Sequence, residues 1–212
     1  MNAAVIIVVA VVMGWFAVGS IWNVRRGNAV LRWLQDGLPL VGERTTVRWL
    51  GTTSVEMVIG QARKPFDQVT LVVFLEPRDV PWIWGPSRLR GRRDTLIFRA
   101  RLGTTPVVDL EAFDPASWSG REARSRTTAE RWTLREPKRA GDLPLYYKLE
   151  GGMAIADALL GLAREGGMTV RRLSVRRAEP HLQLHVDLPP ASAPAAEFFG
   201  TLRALGETAA RC

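Results

Sequence analysis

The chain opens on an uncharged stretch. No Asp, Glu, Lys or Arg occurs between Met1 and Val24, and Ala3 to Trp22 reads AAVIIVVAVVMGWFAVGSIW. At about 1.5 Å per helical residue, twenty such residues cover the ~30 Å hydrocarbon core of a bilayer. Three kinds of structure compete for such a run. A cleaved signal peptide carries a basic n-region and a shorter apolar region of roughly 7–15 residues. Here no basic side chain precedes the run, the run is longer, and Ala17-Val18-Gly19 is only a passable cleavage site. A buried core helix carries a polar stripe, which this run lacks before Ser20 and Asn23. The expectation is a transmembrane anchor over residues 1–24.

Charge at the two ends of the run sets an expected topology. Lys and Arg are absent before it, whereas Arg25, Arg26 and Arg32 follow it closely. Basic residues near a span are retained on the cytoplasmic side. The predicted arrangement is a single pass through the plasma membrane, N-terminus outside and residues 25–212 in the cytoplasm. Trp22 suits the headgroup level beside the arginines, where indole rings collect. Ala3, Ala10, Gly14 and Ala17 share one helical face, and Ala10 with Gly14 makes a small-xxx-small pair. That face suits a second copy of the chain or another membrane helix.

The net charge of +8 lies wholly outside the span. Arg supplies 26 of the 29 basic residues, a bias that a GC-rich bacterial genome would produce. A basic domain tethered to a bilayer lies beside anionic headgroups, each nearby Arg contributing about 1 kcal/mol. The lipid bilayer and anionic headgroups are therefore the expected partners. The single cysteine, Cys212, allows no intramolecular disulfide and no cysteine metal cluster.

Beyond the span, residues 25–43 form a juxtamembrane segment in which Val30, Leu31, Trp33 and Leu34 interleave with Arg26, Arg32, Gln35 and Asp36. Such a helix either lies along the interface, with Trp33 and Arg32 at the headgroups, or packs under the domain. Residues 44–212 read as a soluble domain, with a possible subdivision into a β-rich 44–140 and a β-α-β-β-α segment over 143–212. Strand patterns fall at 45–50, 54–60, 68–76, 94–102, 106–113 and 131–136, between Gly and Pro breaks. The stretch 114–130, DPASWSGREARSRTTAE, reads as a long polar loop. Further on come a strand at 145–149, a helix at 153–164, a hairpin over 169–176 and 181–188, and a last helix from about Ser192. The expected class is α+β: one N-terminal transmembrane helix, then a mainly antiparallel sheet, meander or partial barrel, with helices on one face.

Chemistry is harder to find. His181, Gln183, His185 and Asp187 alternate along one strand, but at about 3.3 Å per residue the histidines lie roughly 13 Å apart, too far to share one ion. A solvated face opposite Leu182, Leu184, Val186 and Leu188 explains them. Phosphate-loop, dinucleotide, zinc-protease and nucleophile-elbow motifs are absent, and no carboxylate pair among Glu56, Asp67, Glu76 and Asp79 stands out. No catalytic, cofactor or metal residue is expected, and the chain reads as a non-enzymatic adaptor or scaffold. An extracytoplasmic envelope protein, a nucleic-acid binder and an enzyme of unrecognised type are the alternatives.

The most distinctive soluble segment is PRDVPWIWGPSRLRGRRD, Pro77 to Asp94. Trp82 and Trp84 sit between Pro81 and Pro86, followed by Arg88, Arg90, Arg92 and Arg93. A loop of this composition presses its Trp tip and arginines on anionic lipid. It equally suits phosphates and bases of a nucleic acid, the less favoured partner. A structural role remains open, with tryptophans in the core and arginines paired to Glu76, Asp79 and Asp94.

Overall fold

A computed structural model describes residues 2–137, 141–149, 151–190 and 192–211; Lys138 and Cys212 lie outside the described residues. Its first element, helix α1, runs unbroken from Ala3 to Gly37, because no proline interrupts it until Pro39 opens a short 3₁₀ turn, Leu38–Leu40. Residues 3–18 are exposed, whereas Gly19, Asn23, Gly27, Val30, Leu34 and Gly37 are buried. Their spacing of three and four is one stripe of a helix. The segment after the span therefore does not lie along a membrane surface. It packs under the domain, because Val30, Leu34, Leu38 and Val41 have a hydrophobic core to enter.

The remainder is α+β. Nine strands form one antiparallel sheet: β1 (Thr45–Trp49), β2 (Ser54–Ile59), β3 (Phe66–Phe74), β4 (Thr95–Leu102), β5 (Leu110–Phe113), β6 (Thr133–Arg135), β7 (Leu145–Tyr147), β8 (Val170–Val175) and β9 (Leu182–Asp187). Their order is β1-β2-β3-β4-β9-β8-β5-β7-β6. The first four strands are the expected meander, and the sheet stays open at β1 and β6. Chain halves then interleave: β9 joins β4, and β8 takes β5 as its outer neighbour. One apolar cluster accordingly contains Leu34, Leu71, Leu96, Leu110, Leu173, Leu184 and Leu202. The strand expected over 106–113 shortens to β5 because Val107 turns its carbonyl to the Arg177 guanidinium, 2.7 Å away.

Helices α4 (Gly152–Glu165) and α5 (Ala195–Ala210) cover the core face together with the second half of α1. They do not stand alone. Two further helices, α2 (Pro81–Leu89) and α3 (Trp118–Ala129), occupy stretches expected as loops. On β5, Leu110 and Ala112 point into the core while Glu111 meets Arg126 of α3, so α3 covers the opposite face. Helices thus flank both faces of the sheet rather than one. Helix α3 escapes an apolar-period search because its buried stripe is small and polar: Ser119, Gly120, Ala123 and Thr127. Its legible signal is the cap, where the Ser117 hydroxyl accepts from the Gly120 N–H at 2.9 Å. Helix α2 escapes because Gly85 and Pro86 read as breakers, yet Pro81 sits in its first turn and a nine-residue helix has few internal bonds to lose.

Close approach fixes where α1 lies. A Cβ at Gly19 would stand 2.5 Å from the carbonyl oxygen of Arg78 and from Cα of Asp79, and one at Gly37 would stand 2.1 Å from the Phe199 ring. Gly14, by contrast, has nothing within 4 Å. Gly19→Leu is therefore expected to lower the unfolding free energy by about 1–3 kcal/mol, the range for overpacking, whereas Gly14→Ala leaves it unchanged or slightly raised. Denaturant unfolding of the full chain in neutral detergent measures both.

Candidate membrane-facing site

Where α1 leaves the domain, a knot of charge is buried. Asp94 accepts both Arg78 guanidinium nitrogens, at 3.0 and 3.1 Å, the Glu76 backbone N–H at 2.8 Å, and Arg26 Nε at 3.4 Å. Glu76, 2 % exposed, accepts Trp84 Nε1 at 2.5 Å and Arg88 Nη1 at 2.8 Å. Asp79 accepts the Thr52 hydroxyl at 2.9 Å. Two carboxylates, Glu76 and Asp94, thus meet Arg26, Arg78 and Arg88, so neither is buried in its low-dielectric surroundings without a counter-charge. Asn23, fully buried on α1, accepts Arg78 Nη1 at 3.3 Å. Trp15 donates its indole N–H to the Arg78 carbonyl at 3.0 Å and packs its ring 6.4 Å from that of Trp84. Helix α1, the 76–80 loop and α2 are one packed unit.

The tryptophans beside this knot are divided. Trp84 is partly buried and bonded to Glu76, while Trp82 stays 62 % exposed beside Ile83. Trp15, Val18, Gly19, Trp22, Arg78 and Trp84 line an almost wholly apolar notch of about 110 Å³ between α1 and α2. Trp22 is exposed there. Of the arginines expected at an interface, Arg25 is exposed, Arg26 and Arg88 belong to the knot, and Arg32 bonds its own helix at the Asn28 carbonyl. Trp33 is elsewhere. About 16 Å further along α1 than Trp22, it donates to the Ala193 carbonyl at 2.6 Å and packs on Phe198, because the domain closes over that part of the helix. Ala3, Ala10, Gly14 and Ala17 are exposed, on a face turned roughly 140–180° from the Gly19–Asn23 stripe.

Arg90, Arg92 and Arg93 follow α2 and make no ion pair among the described residues. They stand on one side of a cleft of about 510 Å³ whose other side is the start of α3, with Ser117, Trp118 and Arg121. Arg171 also lines it, held by Asp187 at 2.6 Å and Asp114 at 3.7 Å. His185 closes the floor, where a solvated face was expected. The imidazole is instead 2 % exposed, because α3 covers it and Trp118 lies with its ring centre 6.0 Å away. His181, also buried, accepts the Leu102 N–H at Nδ1, 3.1 Å away. Among the described residues no group of three or more His, Cys, Asp or Glu side chains is placed to hold a metal ion. The cleft was not legible from spacing, since α3 brings Ser117 and Arg121 to β9 across some 65 residues of sequence.

Glu111 is the second residue the sequence did not single out. It is fully buried on β5 and bonded to Arg126, to Arg172 at 3.2 Å and to the Ser174 hydroxyl at 2.9 Å, tying α3 to the sheet. All three bonds converge on Oε1, and they join α3, β5 and β8, so the residue serves the architecture.

Comparison with protein-family models and with curated proteins finds no match to this chain, so its function rests on the geometry above.

Burial pushes the His185 pKa down to about 3, helped by the Arg172 and Arg99 charges. Unfolded, the same imidazole takes a proton near pH 6.5. Below that value the unfolded chain binds the proton that the folded chain refuses, so stability falls as pH falls from 6.5 towards 3. A loss of about 2 kcal/mol is expected between pH 7 and pH 5. Glu130, held at about 2 by its bonds to Lys148 and Trp132, titrates below that window. Unfolding titrations at the two pH values check this, and His185→Gln should flatten the difference.

Proposed function

We propose that this chain is a single-span membrane protein whose basic α+β domain serves as an adaptor mounted directly on the inner leaflet of the plasma membrane. One observation carries the reading: α1 enters the domain without a break and is seated there by its own backbone. One helix in the structure is long and apolar enough to cross a membrane. Its uncovered part, Ala3–Val18, measures about 24 Å, short of the ~30 Å hydrocarbon thickness. The missing length is supplied by residues 19–22, and these already lie against α2 and the 76–80 loop. With α1 across the bilayer, α2 is then carried to the edge of the hydrocarbon. There Trp82 and Ile83 meet acyl chains and headgroups, and Trp15, Trp22 and Trp84 form an aromatic belt.

The charges agree with this placement. Arg25 stands just beyond the belt, Arg90, Arg92 and Arg93 close by the Arg26–Asp94 pair, where anionic headgroups attract them. A cytoplasmic domain follows from arginines on that side of the span. The sheet also offers the free edge of β1, exposed along nearly its whole length, for strand addition by a protein partner. The uncovered Ala10–Gly14 face suits a second helix inside the bilayer. Residues 44–212 act in this reading as one domain.

A nitroxide at Ile83→Cys, in a Cys212→Ser background reconstituted in nanodiscs, is expected to be reached by dissolved oxygen more readily than by a water-soluble nickel chelate. A label at Thr104→Cys, beyond the opposite end of β4, should show the reverse. Equal nickel access at both positions would remove the membrane mount. Impermeant maleimide on intact cells should leave native Cys212 unlabelled until lysis; labelling before lysis would place the domain outside.

A further inference from the structure

The cleft between the Arg90–Arg93 turn and α3 is built for an anion. We propose that it binds a phosphate group, with Arg90, Arg92, Arg93 and Arg121 supplying the charge and the first turn of α3 supplying directional donors. Four guanidinium groups border this one opening, and among the described residues none of them meets a carboxylate. Among the same residues Arg93 bonds only the Arg88 and Arg92 carbonyls, Arg121 only the Ala116 carbonyl, and the Arg90 and Arg92 side chains bond none. The contrast within the same opening is sharp. Arg171, on the same wall, is neutralised by Asp187 and Asp114, so the acidic side chains of the cleft are already spent on a fifth arginine. Five arginines line the opening against two carboxylates, so positive charge is left in excess. Guanidinium forks match phosphate oxygens in charge and in geometry.

The donors are arranged to match. Ser117 caps α3 by accepting from the Gly120 N–H, which leaves the N–H groups of Trp118 and Ser119 without a partner at the positive end of a twelve-residue helix. A second, separate observation lies on the cleft floor. The Gln183 amide nitrogen sits 2.6 Å from His185 Nε2, and an amide nitrogen can only donate, so Nε2 accepts. The neutral imidazole therefore carries its proton on Nδ1, and that buried nitrogen has no partner. A buried donor without an acceptor is costly. The His185 ring lines the same cleft, where the arginines, the α3 N–H groups and this unpartnered nitrogen call for an acceptor that Asp114 and Asp187, held by Arg171, do not supply.

Two sources carry this chemistry: the phosphate of an anionic lipid headgroup, reached because the cleft adjoins the Arg26–Asp94 pair beside the span, and a phosphate-bearing solute from the cytoplasm. Neither the cleft nor its donors depend on the membrane mount, so the first arm of the test omits a bilayer. Full-length protein in neutral detergent is titrated with inorganic phosphate, and binding is read from phosphorus-31 relaxation. In the second arm, phosphatidylcholine nanodiscs with and without phosphatidic acid are compared, binding being read as the rise in thermal midpoint. Arg92→Gln with Arg93→Gln is expected to weaken phosphate binding about tenfold or more, or to abolish the lipid-dependent rise. Arg44→Gln with Arg211→Gln removes the same charge from exposed positions away from the cleft and should leave both readouts as in the parent.

Phosphate binding that depends on the arginine pair assigns the site to a solute, and a rise confined to phosphatidic acid assigns it to a headgroup. Absence of both, or equal losses in the two double variants, overturns the proposal. The circular dichroism spectrum and melting midpoint without ligand confirm that the variants fold, as expected for exposed arginines without carboxylate partners. Capture of a single-stranded oligonucleotide through the same arginines, with no response to phosphate or phosphatidic acid, would also overturn it, in favour of a nucleic-acid surface.

Discussion

Everything distinctive about this molecule depends on how closely one helix backbone approaches one loop. At Gly19 the absence of a Cβ lets α1 lie against the Arg78–Asp79 backbone, and the Trp15 indole closes the contact by donating to the Arg78 carbonyl. From there to Gly37 one stripe of the helix packs against the domain. Val30, Leu34, Leu38 and Val41 enter the core, and each such side chain is worth about 1.5–3 kcal/mol when fully buried. A hinge between the apolar half of α1 and that set would instead give up the Trp15 and Gly19 contacts with the Arg78–Asp79 backbone. The helix is therefore a mast stepped into the hull, not a mooring line.

That constraint explains the charge knot beside it. Burying Glu76 and Asp94 near an apolar helix is tolerable only with Arg26, Arg78 and Arg88 in contact and with the backbone N–H of Glu76 and the Trp84 indole as further donors. The arrangement gives each of these buried carboxylates a counter-charge beside the apolar helix. It also separates two populations of arginine that look alike in sequence. Arg88 is consumed internally, whereas Arg90, Arg92 and Arg93, only a few positions on, are left facing the cleft.

The architecture was legible where pattern is strong. Apolar alternation found β2, β3, β4 and β9, glycine and proline breaks bounded them, and the apolar stripe of α5 appeared with Phe198, Leu202, Leu205 and Ala209 on one face. What escaped has a physical reason in each case. Helix α3 packs through small and polar side chains, so periodicity of hydrophobicity has nothing to detect. The His181–His185 face alternates as a solvated strand does, and its burial is decided by α3, a distant element. Trp33 reads as an interface anchor beside Arg32, yet its environment is set by Phe198, some 165 residues away. Of the candidate site, sequence singled out the Trp–Arg segment, but the partition of its members between knot, exposed surface and cleft is a property of the fold alone.

The central claim is that span and domain form one continuous body. Amide hydrogen exchange along α1 in bilayer nanodiscs tests it most directly. Continuity predicts slow exchange from Gly19 through Leu34, with protection approaching that of the core strands β3 and β4. A fast-exchanging break within Asn23–Asn28, separating a protected span from a protected domain, would contradict it.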